Sequence, residues 1–159
     1  MISEEKLRSC LVNRWAITGA TVKTHNAGMN SATWFVTAGS DRWVAKAVTP
    51  DSRRAFLGGL TIAGQVEAAG IPAGAPLPTR EGDIVVDVDG VPLTLLNWVD
   101  GEELSGSTAQ DQRLIGRTLG GVHEALRDVS APLADQFHWI DTQDPFVGSA
   151  RRRGSCGSL

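Results

Sequence analysis

A lysine set in the middle of an otherwise apolar run constrains this chain more than any other feature. Arg42 to Val48 reads RWVAKAV, with Lys46 held between Ala45 and Ala47. The chain has three lysines, and the other two, Lys6 and Lys23, stand in more polar surroundings. Upstream lies a small polar loop, Asn26-Ala27-Gly28-Met29-Asn30-Ser31, rich in residues that tolerate unusual backbone angles. Ala32 to Thr37 (ATWFVT) is β-branched and aromatic, and Ala38-Gly39-Ser40-Asp41 supplies turn chemistry. The whole stretch from Asn26 to Val48 predicts loop, strand, tight turn and strand. The Lys46 ammonium must then reach water or a polar partner. On these residues alone the stretch reads as a β-hairpin whose lysine snorkels to a sheet edge.

The rest of the chain adds a helix, a connector and a second hairpin. Thr49-Pro50 can start a helix running to about Ala69, with Phe56, Leu60, Ala63 and Val66 on its buried face and Gly70-Ile71-Pro72 as its stop. Ala73 to Arg80 (AGAPLPTR) is an extended, proline-punctuated connector. Asp83 to Val88, the turn Asp89-Gly90, and Val91 to Trp98 form the clearest hairpin, with Pro92 suited to an edge or a strand start. Residues 3 to 16 read as a helix capped by Ser3, with Leu7, Leu11 and Trp15 on one stripe, and Thr21 to His25 reads as a first strand.

A glycine-bearing loop, strand, turn and strand with an internal lysine resembles the start of a kinase nucleotide lobe. The short loop Gly28-Met29-Asn30-Ser31 is similar to that of aminoglycoside phosphotransferases and choline-kinase-like small-molecule kinases. LLNWVDGEEL resembles the strand and hinge between the two lobes of that family, and AAGIPAGAPLPT lies between it and Lys46. The resemblance covers roughly residues 15 to 130. It implies that Lys46 pairs with the α/β-phosphates of ATP and that Gly28, Met29, Asn30 and Ser31 lie over the phosphates. It further implies that Val44 packs over adenine, that Leu96 stands beside the back pocket, and that the Asn97 carbonyl and Val99 amide hydrogen-bond the base.

The sequence departs from the family in two places. In such kinases the helix after the lysine strand carries a glutamate for the lysine, yet Ala55-Phe56-Leu57-Gly58-Gly59-Leu60 contains no acid. Either Glu67 substitutes for it by a shifted alignment, or Lys46 lacks its usual partner. The second departure is the catalytic loop, H-G-D-x-x-x-x-N, which supplies the base and a metal ligand. The four asparagines are Asn13, Asn26, Asn30 and Asn97, and none follows the hinge segment. His138-Trp139-Ile140-Asp141 has the wrong spacing, so no catalytic residue and no metal ligand is assigned.

A last helix is predicted from about Ser107 to Val129, with Ser107 and Gln110 as a capping box and Ile115, Leu119, Val122 and Leu126 as a buried stripe. His123 beside that stripe is expected to be a packing or buried hydrogen-bonding residue. The final residues from about 149, with Arg151-Arg152-Arg153, read as a disordered tail of the kind a truncated or frameshifted product carries. Net charge −3 argues against a nucleic-acid partner. No apolar run reaches the roughly 20 residues of a membrane helix, and a cytoplasmic chain is expected. Cys10 and Cys156 have no metal-ligand spacing.

The reading is thus an α+β chain. Residues 1–99 form a protein-kinase-like N-terminal lobe, an antiparallel sheet of about five strands plus one helix. Residues 100–148 form a hinge and partial helical second lobe, and 149–159 a tail. The expected activity is ATP-dependent γ-phosphoryl transfer to a hydroxyl of a small molecule, with Mg2+ in full-length relatives. This chain would be a fragment lacking the catalytic loop. The alternative is a non-catalytic remnant that binds nucleotide or a partner protein. Self-association through an exposed helical face is expected.

Overall fold

Turn chemistry sets the strand register, and the register builds the site. A computed structural model describes residues 2–25, 31–102 and 104–129. Five strands, β1 (Thr21–His25), β2 (Ala32–Ala38), β3 (Asp41–Ala47), β4 (Val86–Val88) and β5 (Val91–Asn97), form one antiparallel sheet in the order β1-β2-β3-β5-β4. Gly39, at φ 60°, opens the two-residue link between Ala38 and Asp41, as a II′ hairpin turn requires. Asp89 and Gly90, at φ 52° and 77°, make the I′ counterpart between Val88 and Val91. Pro92 sits buried at the second position of β5, where the strand starts. The predicted strand from Asp83 shortens to Val86–Val88, because Asp83 instead folds back through its amide and carbonyl onto Thr79.

One sheet face is a hydrophobic core. Trp34, Ala45 and Leu95 lie opposite one another on β2, β3 and β5, and all three are buried. Helix α1 (Glu4–Trp15) contributes Leu7, Leu11 and Trp15 to this cluster, joined by Val22, Val36 and Leu93. The Ser3 hydroxyl caps α1 by accepting from the Lys6 amide, and Trp15 Nε1 donates to the Leu77 carbonyl at 2.8 Å. Burying Leu side chains of this kind contributes about 1.5–3 kcal/mol each, so α1 is an integral layer of the lobe.

The connector is more ordered than its composition predicts. Leu77 N–H donates to Leu95 O at 2.7 Å and Asn97 N–H to Ala75 O at 2.9 Å, so Ala75 to Leu77 extends the sheet beside β5. Its prolines, Pro76 and Pro78, fall at positions where no donor is required of them.

The helices depart from expectation in detail. The one predicted from Thr49 begins with a 3-10 turn, Pro50–Ser52, and continues as α2 (Arg53–Ala68). Leu60 and Val66 are buried, while Phe56 and Ala63 are half-buried. Helix α3 (Ala109–Ala125) ends sooner than Val129, and its cap is Thr108 rather than Ser107: Thr108 Oγ1 accepts from Asp111 N–H at 3.0 Å. None of its residues is buried; Ile115 and Leu119 are 43% and 53% exposed, and Val122 and Leu126 half-buried. His123 is exposed, which corrects its assignment as a packing or buried hydrogen-bonding residue. The tail beyond 129, with His138 and Asp141, lies outside the described residues.

Candidate nucleotide cleft

The second sheet face carries the candidate site. Strand pairing places Phe35 opposite Val44 and Val44 opposite Leu96, so three apolar side chains form a row across β2, β3 and β5. That row, with Ala73, Gly74, Asn97, Trp98 and Val99, lines an open cleft of about 280 Å3. Four residues singled out from sequence, Val44, Leu96, Asn97 and Val99, are therefore brought together. Gly28, Met29 and Asn30 lie outside the described residues, and Ser31 stands half-buried just before β2.

Lys46 occupies the next row on the same face, between Thr33 on β2 and Thr94 on β5. Two residues along a strand advance about 6.6 Å, so its half-buried stem starts one step beyond the apolar row. Among the described residues no carboxylate lies within ion-pair distance of Lys46. The substitution by Glu67 is overturned. Glu67 is held at the other end of β3, where its carboxylate accepts from Asn97 Nδ2 at 2.9 Å and from Ala75 N–H at 2.8 Å. Asn97 is paired with Trp43, three positions from Lys46, which is roughly 10 Å along the strand. These contacts, the Ala75 amide first and the Asn97 side chain second, hold the Glu67 carboxyl below its ordinary range.

Backbone edges supply polarity at the cleft. Val99 is 43% exposed, and its amide donates to no acceptor among the described residues. Gly74, at φ 63°, lies beside the end of β5, where a Cβ would stand 3.4 Å from the Asn97 carbonyl oxygen.

Four lining residues, Phe35, Ala73, Gly74 and Trp98, were missed from sequence. Phe35 was legible in principle, since the Gly39-Ser40 turn fixes it opposite Val44. Trp98 was not: its ring meets Phe35 edge-on at 5.4 Å between centroids, and that contact depends on how the chain leaves β5. The His25 ring is tilted 32° against Phe35, with centroids 4.7 Å apart.

A twisted antiparallel sheet, a helix after the lysine strand, and a cleft at the exit of the last strand together define a kinase-like N-terminal lobe. The chain belongs to the phosphotransferase enzyme family, whose model matches residues 21–155. Its fold is similar to spectinomycin phosphotransferase APH(9)-Ia, solved with ADP and spectinomycin, at TM-score 0.63 and 16% identity over 85% of this chain. It is also similar to the amicoumacin kinase hAmiN, solved with AMP-PNP, Ca2+ and Ami, at TM-score 0.68 and 13% identity over 82% of this chain. The chain spans 41% and 42% of the length of these two proteins. No curated protein matches it in sequence.

Proposed function

We propose that this chain is the nucleotide-binding lobe of an ATP-dependent phosphotransferase acting on a hydroxyl of a small molecule. The observation that carries the reading is the row Phe35–Val44–Leu96 with Lys46 one step beyond it on the same face. An apolar slot beside a cation suits a flat base attached to phosphates. The Asn97 carbonyl and Val99 amide would read the base edge, and the Lys46 ammonium would neutralise phosphate charge. Gly28 to Ser31 would cover the phosphates. Among the described residues no group of three His, Cys, Asp or Glu fits a metal ion, so no residue here is assigned to Mg2+.

The alternative is a lobe that binds nucleotide or a partner protein without transferring phosphate. The lack of a carboxylate within ion-pair distance of Lys46 among the described residues favours it. Replacing Lys46 by Ala separates the phosphate role from a merely structural one. ATP should bind about 10- to 100-fold more weakly, the value of one charge-assisted contact of about 1.5–3 kcal/mol, while adenosine binding stays unchanged. Equal loss for both ligands, or no binding of either by the parent chain, would refute the assignment.

Leu114, Ile115 and Leu119 on α3 are 48%, 43% and 53% exposed, and self-association through that face is the expected behaviour. Sedimentation velocity across a wide concentration range tests it, and a clean monomer throughout counts against it.

A further inference from the structure

Glu67 stands at the end of α2, far from the lysine it was expected to serve, and its position gives it another task. Its Oε2 accepts from Ala75 N–H at 2.8 Å and from Ala73 N–H at 3.4 Å, while Oε1 accepts from Asn97 Nδ2 at 2.9 Å. One carboxylate thus joins three segments: the last turn of α2, the connector, and the end of β5. Asn97 is also tied to the connector by its own amide, which donates to Ala75 O at 2.9 Å.

The space around the hinge explains why such a tie is needed. Asn97, Trp98 and Val99 border the cleft beneath the sheet and also a second hollow of about 320 Å3 lined by Glu67, Gly70 and Pro72. Asn97 and Trp98 are only half-buried and Val99 is exposed, so directed hydrogen bonds add to what packing fixes in this strip. A carboxylate accepting from amide donors makes stronger bonds than a neutral acceptor does.

We infer that Glu67 is a positioning residue for base recognition, setting the angle at which the Asn97 carbonyl and Val99 amide face the cleft. The inference rests on the reading that this hinge binds a nucleobase. Glu67 touches no ligand itself and acts through Asn97 and the connector.

The test uses the full chain with adenosine and ATP as probes, together with amide hydrogen exchange. Glu67→Ala should weaken both ligands by the same factor, about 10-fold, and accelerate exchange in peptides spanning 73–77 and 96–101. Glu67→Gln should restore binding to within about 3-fold, because its carbonyl can accept from Ala75 N–H while its amide donates to a flipped Asn97 side chain. Asn97→Leu keeps the connector bonds but cuts the hinge bond, and should reproduce the adenosine loss if Glu67→Ala fails to fold. Folded variants with unchanged adenosine affinity and unchanged exchange would overturn the inference. So would a Glu67→Ala effect on ATP alone, which would make the residue a phosphate-side element. If the parent chain binds neither ligand, the nucleotide reading itself fails, and the exchange data still decide whether Glu67 holds the hinge.

Discussion

Arg42 and Asp100 close a bridge across the face of Trp98. Arg42 Nη2 lies 2.7 Å from Asp100 Oδ1, its guanidinium sits 4.8 Å from the Trp98 ring centroid, and Trp98 Nε1 donates to the same carboxylate at 3.0 Å. A residue from the start of β3 and one from beyond the hinge thus hold the cleft's aromatic wall from outside. The Trp98 N–H and then the Arg42 guanidinium keep the Asp100 carboxyl below its usual range. A depressed folded-state pKa contributes stability above the unfolded value of about 3.9 and loses it as pH falls through the folded value. Thermal melts from pH 7 to pH 2 should therefore show wild type above Asp100→Asn at neutral pH and the two converging in acid. Because the pair is largely exposed, the gap should be small and should shrink in salt. A gap constant across the pH range would show that Asp100 acts by packing and not by charge.

Gly74→Ala should damage the hinge without touching the core. Its backbone is left-handed at φ 63°, which costs a non-glycine residue about 1–2 kcal/mol, while the new methyl would meet the Asn97 carbonyl oxygen at 3.4 Å, an ordinary contact. Expected outcomes are a loss of about 1–2 kcal/mol in denaturant unfolding and weaker adenosine binding. Retention of full adenosine affinity would show that the connector does not shape the cleft.

Leu95 and Leu119 should behave oppositely. Leu95 is fully buried between the sheet and α1, so Leu95→Ala should cost about 2–5 kcal/mol. Leu119 is 53% exposed within the chain, so at concentrations low enough to keep the chain monomeric Leu119→Ala should stay within about 0.5 kcal/mol. Urea unfolding of the two variants provides the comparison. A large loss at Leu119 would mean that α3 is packed against a surface in solution.

The 159-residue chain should transfer no phosphate to aminoglycosides, even with Mg2+. Phosphoryl transfer depends on positioning and on metal-borne charge neutralisation, and no H-G-D-x-x-x-x-N motif to supply them occurs within these 159 residues. Each 1.36 kcal/mol of lost stabilisation is about tenfold in rate. Mass spectrometry of the acceptor decides: product above the no-protein control, abolished in Lys46→Ala, would overturn the expectation and turn attention to Asp141 and Asp144.

Local chemistry alone determined most of the lobe. The Gly39-Ser40 and Asp89-Gly90 turns fix strand register, because only certain backbone angles match the strand twist, and register then fixes that Val44 and Lys46 share a face. Helix α1 was legible from its cap and its Leu7, Leu11, Trp15 stripe, since both signals lie within a few residues of each other. What sequence left open was every contact that spans chain segments. The AGAPLPTR connector looks like a loop, yet pairs with β5, because pairing depends on an open strand edge elsewhere. The Ser107 cap was one residue out because neighbouring hydroxyls are equivalent until the helix chooses its first turn. The α3 stripe has the period of a buried face, but period reports only which residues lie together, and burial requires a surface to meet them. Above all, the sequence shows Glu67 as the only acid in its helix beyond Asp51. Only the tertiary structure decides that it serves Asn97 and not Lys46, because a side chain's partner is set by how the helix end lies against the sheet.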